Sequence, residues 1–142
     1  MYSSQLSLIM ACCRTEHLFE IYLGICALLP GCEWVIVYDS SKLSGLPPEF
    51  VNSVYTDKII GLKHAGVSSW TSGHELSVVG NIQKDFGIKV ATRDMILFLD
   101  DDTLLHPNLP LILSKIDFSP KREENKTWIA LFSQKRPADQ FP

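Results

Sequence analysis

The chain lacks any excess of positive charge. Its 142 residues include 13 lysine and arginine residues against 16 aspartate and glutamate residues, which gives a formal net charge of −3. Because a surface that binds nucleic acid is normally strongly basic, we expect no nucleic-acid partner. The sequence also has no run near the roughly 18 apolar residues that a membrane-spanning helix needs, and no basic segment that opens a signal peptide. A cytoplasmic location is therefore expected, with peripheral association with a membrane left open.

Cysteine is scarce and shows no pattern typical of a metal site. The four cysteines, Cys12, Cys13, Cys26 and Cys32, form no CxxC pair and have no histidines at ligand spacing. In a cytosolic protein this predicts reduced, packed thiols. With 46% hydrophobic residues, the chain has the composition of a globular protein, and its length suits a single domain over residues 1–142 with a sizeable core.

Strand and helix patterns alternate along the chain. The predicted strands are Ser7–Cys13, Trp34–Tyr38, Lys58–Leu62, Met95–Leu99 and Trp128–Phe132. The predicted helices are Leu18–Leu29, a short helix ending near Tyr55, Leu76–Ala91 and Leu109–Ile116. Such alternation is typical of βαβ units, so we predict a three-layer α/β domain whose sheet is mostly parallel, with helices on both faces.

The run Met95–Leu99 is the strongest single signal in the sequence. Five apolar residues in a row predict a central strand buried on both faces, and Asp100, Asp101 and Asp102 follow it directly. Carboxylates are costly to bury unpaired, so the triplet should lie where the strand emerges, at an edge where α/β sheets bind ligands. Adjacent carboxylates repel one another, and a hard cation such as Mg²⁺ or Mn²⁺ relieves that repulsion. The pattern predicts a metal that carries a phosphorylated ligand.

A second predicted strand, Trp34–Tyr38, also ends in an acid, Asp39. A single acid at a strand end is more often a helix cap or a turn residue. Because the carboxyl ends of parallel strands share one edge, however, Asp39 and the triplet are expected to line one crevice. Two such strand ends favour a functional interpretation.

These motifs resemble those of GT-A glycosyltransferases, most closely the family 2-like group. Ser7–Arg14 (SLIMACCR) is similar to the opening strand and turn of the family, and Val35–Ser41 (VIVYDSS) to its second strand. Gly87–Asp94 (GIKVATRD) resembles the Gly-Ile-x-x-Ala-x-Gly-Asp turn, which leads into Ile96–Asp102 (ILFLDDD), similar to the DxD strand. Pro107 stands where a proline often follows. The resemblance covers about residues 5–118 and implies a Rossmann-like GT-A domain that binds a nucleotide sugar.

The resemblance also implies how the donor is bound. Asp39 would hydrogen-bond the base of a nucleoside diphosphate sugar, usually a UDP-sugar, in a pocket bordered by Ala11 and Arg14. Lys84 stands where the family often has a basic residue and would face the nucleotide, and Asp101 belongs to the same donor-binding set.

The metal is assigned in the same way. Asp102 would hold Mn²⁺ or Mg²⁺ against the diphosphate, and Asp100, near the ribose or sugar, would contribute to the metal site. A divalent cation there would stabilise the negative charge that develops on the leaving diphosphate.

The chain departs from the family at two positions of these motifs and after its last predicted strand. Asp85 stands where the family usually has asparagine, and Tyr38 replaces the first acid of an Asp-Asp pair. The acceptor half of the family would follow Phe132, and Ser133–Pro142 is too short to form it. The expectation is a domain that binds donor and needs a partner chain or further sequence to transfer sugar to its unknown acceptor. No catalytic base is identified.

Two other interpretations stay open. One is a non-catalytic or partner-completed module that binds nucleotide sugars. The other is a phosphatase of the haloacid dehalogenase type, with Asp100–Thr103 as its nucleophile motif. That motif usually lies on the first strand and has threonine or valine two residues after the second acid, a place that Leu104 occupies here.

Overall fold

The computed structural model describes residues 2–40, 43–53, 58–62 and 81–115. After a short 3₁₀ helix at Tyr2–Gln5, the strands are β1 (Leu6–Cys12), β2 (Glu33–Asp39), β3 (Lys58–Leu62) and β4 (Met95–Asp100). The helices are α1 (Leu18–Leu28), α2 (Pro48–Ser53), α3 (Asn81–Val90) and α4 (Leu109–Ser114). The predicted start of α3 at Leu76 lies outside the described residues, and the other bounds agree with the predicted ones to within two residues. The predicted strand Trp128–Phe132 lies outside the described residues.

The four strands form one sheet in the order β3-β2-β1-β4, and every pair is parallel. The predicted α/β class with a parallel sheet is therefore confirmed. The prediction that Met95–Leu99 is buried on both faces is wrong, because only Leu99 of β4 is buried. Among the described strands β4 stands at one end of the sheet, and its predicted central position stays a prediction. A run of apolar residues predicts a strand, but it does not show how deeply that strand is buried or how many strands lie beside it.

Alternate residues of the two central strands, β1 and β2, supply two separate apolar clusters. On one face, Leu8, Met10 and Ile36 pack with buried residues of α1, α2 and α4. On the other, Ile9, Val35 and Val37 pack with Val90 of α3 and with parts of β3 and β4. Helices therefore cover both faces of the sheet. Among the described helices, α1, α2 and α4 lie on one face and α3 lies on the other. The buried helix residues on the first face are Leu18, Ile21 and Ile25 of α1, Phe50 of α2, and Leu109 and Leu113 of α4.

Gly87 lets α3 lie directly against β1. A β carbon added at Gly87 would overlap Cγ2 of Ile9, a wholly buried side chain. We expect Gly87→Ala to lower the free energy of unfolding by about 1–3 kcal/mol, because a packed core accommodates an extra methyl group only by straining its neighbours. Urea denaturation measures the change.

Gly24 of α1 provides the matched control for that substitution. A β carbon there would meet Cβ of Leu105 at 3.8 Å, an ordinary van der Waals contact. Gly24→Ala should therefore stabilise the protein by up to about 1 kcal/mol through its effect on the helix backbone. Equal shifts for the two variants would contradict the close approach of α3 to β1.

A buried carboxylate joins the strands at the amino-terminal edge of the sheet. Glu33, which is 4% exposed, accepts hydrogen bonds from Oγ of Ser7 at 2.7 Å and from N and Oγ1 of Thr92 at 2.8 and 2.6 Å. Nζ of Lys58 lies 3.6 Å from Oε2 of Glu33. Burial alone would raise the pKa of Glu33, but the hydrogen bonds from Thr92 and Ser7 and the charge of Lys58 lower it to about 2. These contacts link β1, β2, β3 and the turn before β4.

All four cysteines are free thiols, but the prediction that they are packed is wrong for Cys26. Cys12 and Cys32 are buried, Cys13 is half-buried and Cys26 is exposed. Burial, followed by the nearby charge of Asp101, raises the pKa of Cys12 to about 12, so this thiol stays protonated. In the part of the chain that the structure describes, no helix has the length and apolar character needed to cross a bilayer.

Candidate functional site

The strand order reverses between β1 and β4, whose carboxyl ends lie side by side. The chain runs from β1 to β2 and β3 on one side, then returns to β4 on the other side of β1. Ligands of open α/β sheets bind where the strand order reverses in this way. The predicted site residues Asp39 and Asp100 lie at this edge, since β2 and β4 both run parallel to β1.

The strand register shows how far apart these two acids are. Ala11 of β1 is the partner of both Val37 and Asp100, so Asp39 lies two strands away from Asp100 and two residues further along. With ordinary strand spacing, their Cα atoms are about 12 Å apart. Asp39 is wholly buried, whereas the side chain of Asp100 is 61% exposed. One edge therefore holds both acids, in different surroundings.

The middle acid of the triplet is the buried one. Asp101 is 4% exposed, and its Oδ2 accepts hydrogen bonds from the backbone N–H groups of Cys13 at 2.7 Å and Arg14 at 2.8 Å. Its Oδ1 accepts from Nε and Nη2 of Arg14 at 3.3 and 3.1 Å. Charged hydrogen bonds of this kind are among the strongest in proteins. Asp101 thus ties the end of β4 to the loop after β1, across the point where the strand order reverses.

Arg14 joins two of the three acids. Its Nη2 also lies 2.9 Å from Oδ2 of Asp102, and the side chains of Arg14 and Asp102 are 55% and 43% exposed. Partial burial alone would lower the pKa of Arg14, but the carboxylates of Asp101 and Asp102 outweigh it and raise the pKa above its ordinary value. The guanidinium is therefore a permanent cation at the carboxyl ends of β1 and β4.

A second cation lies on the α3 side of the same edge. Nζ of Lys84 is 3.6 Å from Oδ1 of Asp100 and 5.8 Å from the ring centroid of Phe98. The structure thus brings Lys84 to the acid triplet, although it lies 16 residues earlier in the sequence. Each solvent-exposed carboxylate of the triplet has one basic side chain beside it.

The sequence patterns did not reveal Gln83, which is wholly buried beneath this edge. Its Nε2 donates to the carbonyl oxygens of Val37 at 2.7 Å and Cys12 at 3.3 Å, so it holds the ends of β1 and β2 together. Its apolar neighbour Ile82 is instead 40% exposed. Gly87, four residues after Gln83 on the same face, was the available signal that this face approaches the strands closely.

The exposed carboxylates of the site fit a hard divalent cation. Mg²⁺ is usually bound by one or two carboxylates together with phosphate oxygens and water. Asp100 and Asp102 offer that donor set, whereas both oxygens of Asp101 already accept hydrogen bonds within the protein. Within the described ranges, no three histidine, cysteine, aspartate or glutamate side chains form a group that could hold a metal ion by themselves.

The chain was compared with models of protein families, with curated proteins and with solved structures, and none of the three comparisons found a match. Inference about function therefore starts from the sheet order and the charged groups at its carboxyl edge.

Proposed function

We propose that this chain is the donor-binding domain of a metal-dependent glycosyltransferase of the GT-A type, with a nucleoside diphosphate sugar, most simply a UDP-sugar, as its ligand. The observation that carries the proposal is the combination of two exposed carboxylates with two cations where the strand order reverses. Carboxylates suit the metal and cations suit the phosphates, and a metal–diphosphate ligand needs both.

Each side chain at the edge has a part in this proposal. Asp102, with Asp100 beside it, would hold Mn²⁺ or Mg²⁺. Arg14 and Lys84 would bind oxygens of the diphosphate, and Asp101 keeps Arg14 in position. When bound, the metal would supply charge stabilisation to the leaving diphosphate.

Asp39 and Ala11 belong to the nucleoside end of the proposed site. Ala11 is half-buried on β1 beside Asp100, and Asp39 is wholly buried at the end of β2. A base can reach Asp39 only if the groups that cover it move. An N–H group of the base would then donate a hydrogen bond to the carboxylate of Asp39.

Transfer to an acceptor hydroxyl also needs a group that takes up its proton. Asp101 does not suit that role, because both of its oxygens already accept strong hydrogen bonds from Cys13 and Arg14. That observation favours the second candidate: a module that binds donor and depends on a partner chain, or on residues outside the described ranges, for the transfer step.

Calorimetry with UDP tests the proposal. We expect UDP to bind at least about tenfold more tightly with Mn²⁺ than in EDTA, a difference of about 1.4 kcal/mol. Asp102→Ala should remove this metal dependence, and Asp39→Ala should weaken UDP binding equally in both conditions. Asp94→Ala is the matched control, because Asp94 is exposed at the opposite end of β4. Equal UDP affinity with Mn²⁺ and in EDTA would contradict the metal site.

An assay of donor turnover separates the two candidates. A module that only binds should leave a UDP-sugar intact or hydrolyse it slowly, with no product that carries sugar on an added acceptor. Sugar transfer by the purified chain at rates ordinary for enzymes, about 1–10³ s⁻¹, would instead establish a complete transferase.

A further inference from the structure

The charged groups at the carboxyl edge are already paired with one another. Arg14 bridges Asp101 and Asp102, and Lys84 lies beside Asp100. Three carboxylates and two cations leave the cluster with a net charge of −1. A divalent cation that approaches Asp102 therefore meets a carboxylate whose charge is largely compensated by a guanidinium 2.9 Å away.

We infer that Arg14 competes with the divalent cation for Asp102, so that the metal binds weakly alone and tightly only together with a phosphate-bearing ligand. This inference rests on the proposed function and adds a rule of binding order to it. Two cations on one carboxylate repel each other, and the repulsion is strong where solvent is partly excluded. Asp102 cannot hold both at full strength.

Asp101 holds Arg14 in place when the contact between Arg14 and Asp102 is lost. Nε and Nη2 of Arg14 are held by Asp101, and Asp101 is itself anchored by the backbone N–H groups of Cys13 and Arg14. Asp102 can therefore turn away from the guanidinium, which stays held by Asp101. A guanidinium has five N–H donors, and its contacts with Asp101 and Asp102 use three of them. A phosphate oxygen can take the donor that Asp102 gives up.

The exchange explains why metal and phosphate should bind together. Without phosphate, the guanidinium loses its second partner when Asp102 turns to a metal, and it remains close to a divalent charge. With phosphate present, the guanidinium gains an anionic partner in the same step. Each ligand therefore raises the affinity of the other, and by linkage the two effects are equal.

Mn²⁺ alone, without nucleotide, is the first probe, and the concentration of free Mn²⁺ is followed by electron paramagnetic resonance. Arg14→Gln should bind Mn²⁺ at least about tenfold more tightly than the natural chain, since one nearby charge changes such equilibria by factors of ten or more. Arg93→Gln is the matched control: it removes the same charge from the amino-terminal end of the sheet, where Arg93 donates to the carbonyl of Ser4. Equal Mn²⁺ affinity in the natural chain and Arg14→Gln, including no binding by either, would overturn the inference.

Arg14→Lys is a second variant for the same Mn²⁺ titration, to be used if Arg14→Gln does not fold. Lysine retains a cation for Asp101 but lacks the planar fork that reaches two carboxylates. Mn²⁺ affinity should then rise by about threefold or more over the natural chain, and no rise would count against the competition.

A second titration with UDP separates this inference from the proposed function. UDP should raise the Mn²⁺ affinity of the natural chain by a larger factor than that of the Arg14 variant. If UDP binds with metal dependence and the Arg14 variants change nothing, the competition is wrong and the donor site stands. If Mn²⁺ binds more tightly to the variants and UDP never binds, Arg14 does compete and the proposed donor is wrong.

Discussion

Replacing Asp101 with asparagine should lower the free energy of unfolding by roughly 2–4 kcal/mol, because hydrogen bonds to charged groups contribute about 1.5–3 kcal/mol each and are not fully additive. The amide has only one acceptor oxygen, so it can accept from the backbone N–H groups of Cys13 and Arg14 or from the Arg14 guanidinium, and its NH2 group then faces the other set of donors. Arg14 would also lose the negative charge of the oxygen to which its Nε and Nη2 donate. The half-exposure of Arg14 keeps the expected loss below that of a fully buried ion pair.

Asp100→Asn is the control for that measurement. It makes the same chemical change in the neighbouring residue, whose side chain is 61% exposed and 3.6 Å from Lys84. An exposed ion pair contributes at most about 1 kcal/mol, so this variant should unfold at nearly the same urea concentration as the natural chain. Equal losses for the two variants would mean that Asp101 does not connect β4 to the loop after β1.

The second large effect is expected in acid, at Glu33. Its pKa is lowered in the folded chain to about 2 from an ordinary value of 4.5. The carboxylate therefore stabilises the fold fully above pH 4.5, and that stabilisation is lost progressively as the pH falls towards 2. The total is about 3 kcal/mol, because each unit of pKa difference corresponds to about 1.4 kcal/mol.

The pH dependence of unfolding in Glu33→Gln measures this contribution. The variant starts less stable at neutral pH, because its amide cannot accept all of the hydrogen bonds from Ser7 and Thr92. Between pH 4.5 and 2 it should then lose about 3 kcal/mol less than the natural chain. Asp85→Asn, at a site that is 68% exposed, should keep the natural pH dependence. Parallel curves for Glu33→Gln and the natural chain would contradict the role of Glu33.

Together, these two carboxylates stabilise opposite edges of the sheet. Glu33 links the amino-terminal ends of β1, β2 and β3 with the turn before β4, and Asp101 links the carboxyl ends of β1 and β4. Because Asp101 lies at the edge of the proposed donor site and Glu33 at the opposite edge, loss of Asp101 should affect UDP binding more than loss of Glu33 when the two variants are equally stable.

Local pattern was enough to predict most elements of the described fold. The runs of β1 and β2 and the spacing of α1 are governed by short-range preferences and by which side chains must leave water, and both can be recognised in a window of ten or so residues. The acids at the ends of β2 and β4 were also recognisable as the points where these strands stop, although the expectation that they lie near solvent is wrong for Asp39 and Asp101, which are buried.

The sequence alone therefore determined an α/β chain with parallel strands and acids at their carboxyl ends. Tertiary structure decided that β4 lies at one end of the described strands, that Asp101 rather than its neighbours is buried, and that Arg14 stands between Asp101 and Asp102. Three adjacent aspartates have the same local pattern. They are distinguished by the loop after β1, whose backbone N–H groups donate to Asp101 although Arg14 lies 87 residues earlier in the sequence. Gln83 escaped detection for the same reason, since its partners are backbone carbonyls of two other strands. Contacts between distant segments depend on the relative placement of whole elements, and a local pattern carries no record of it.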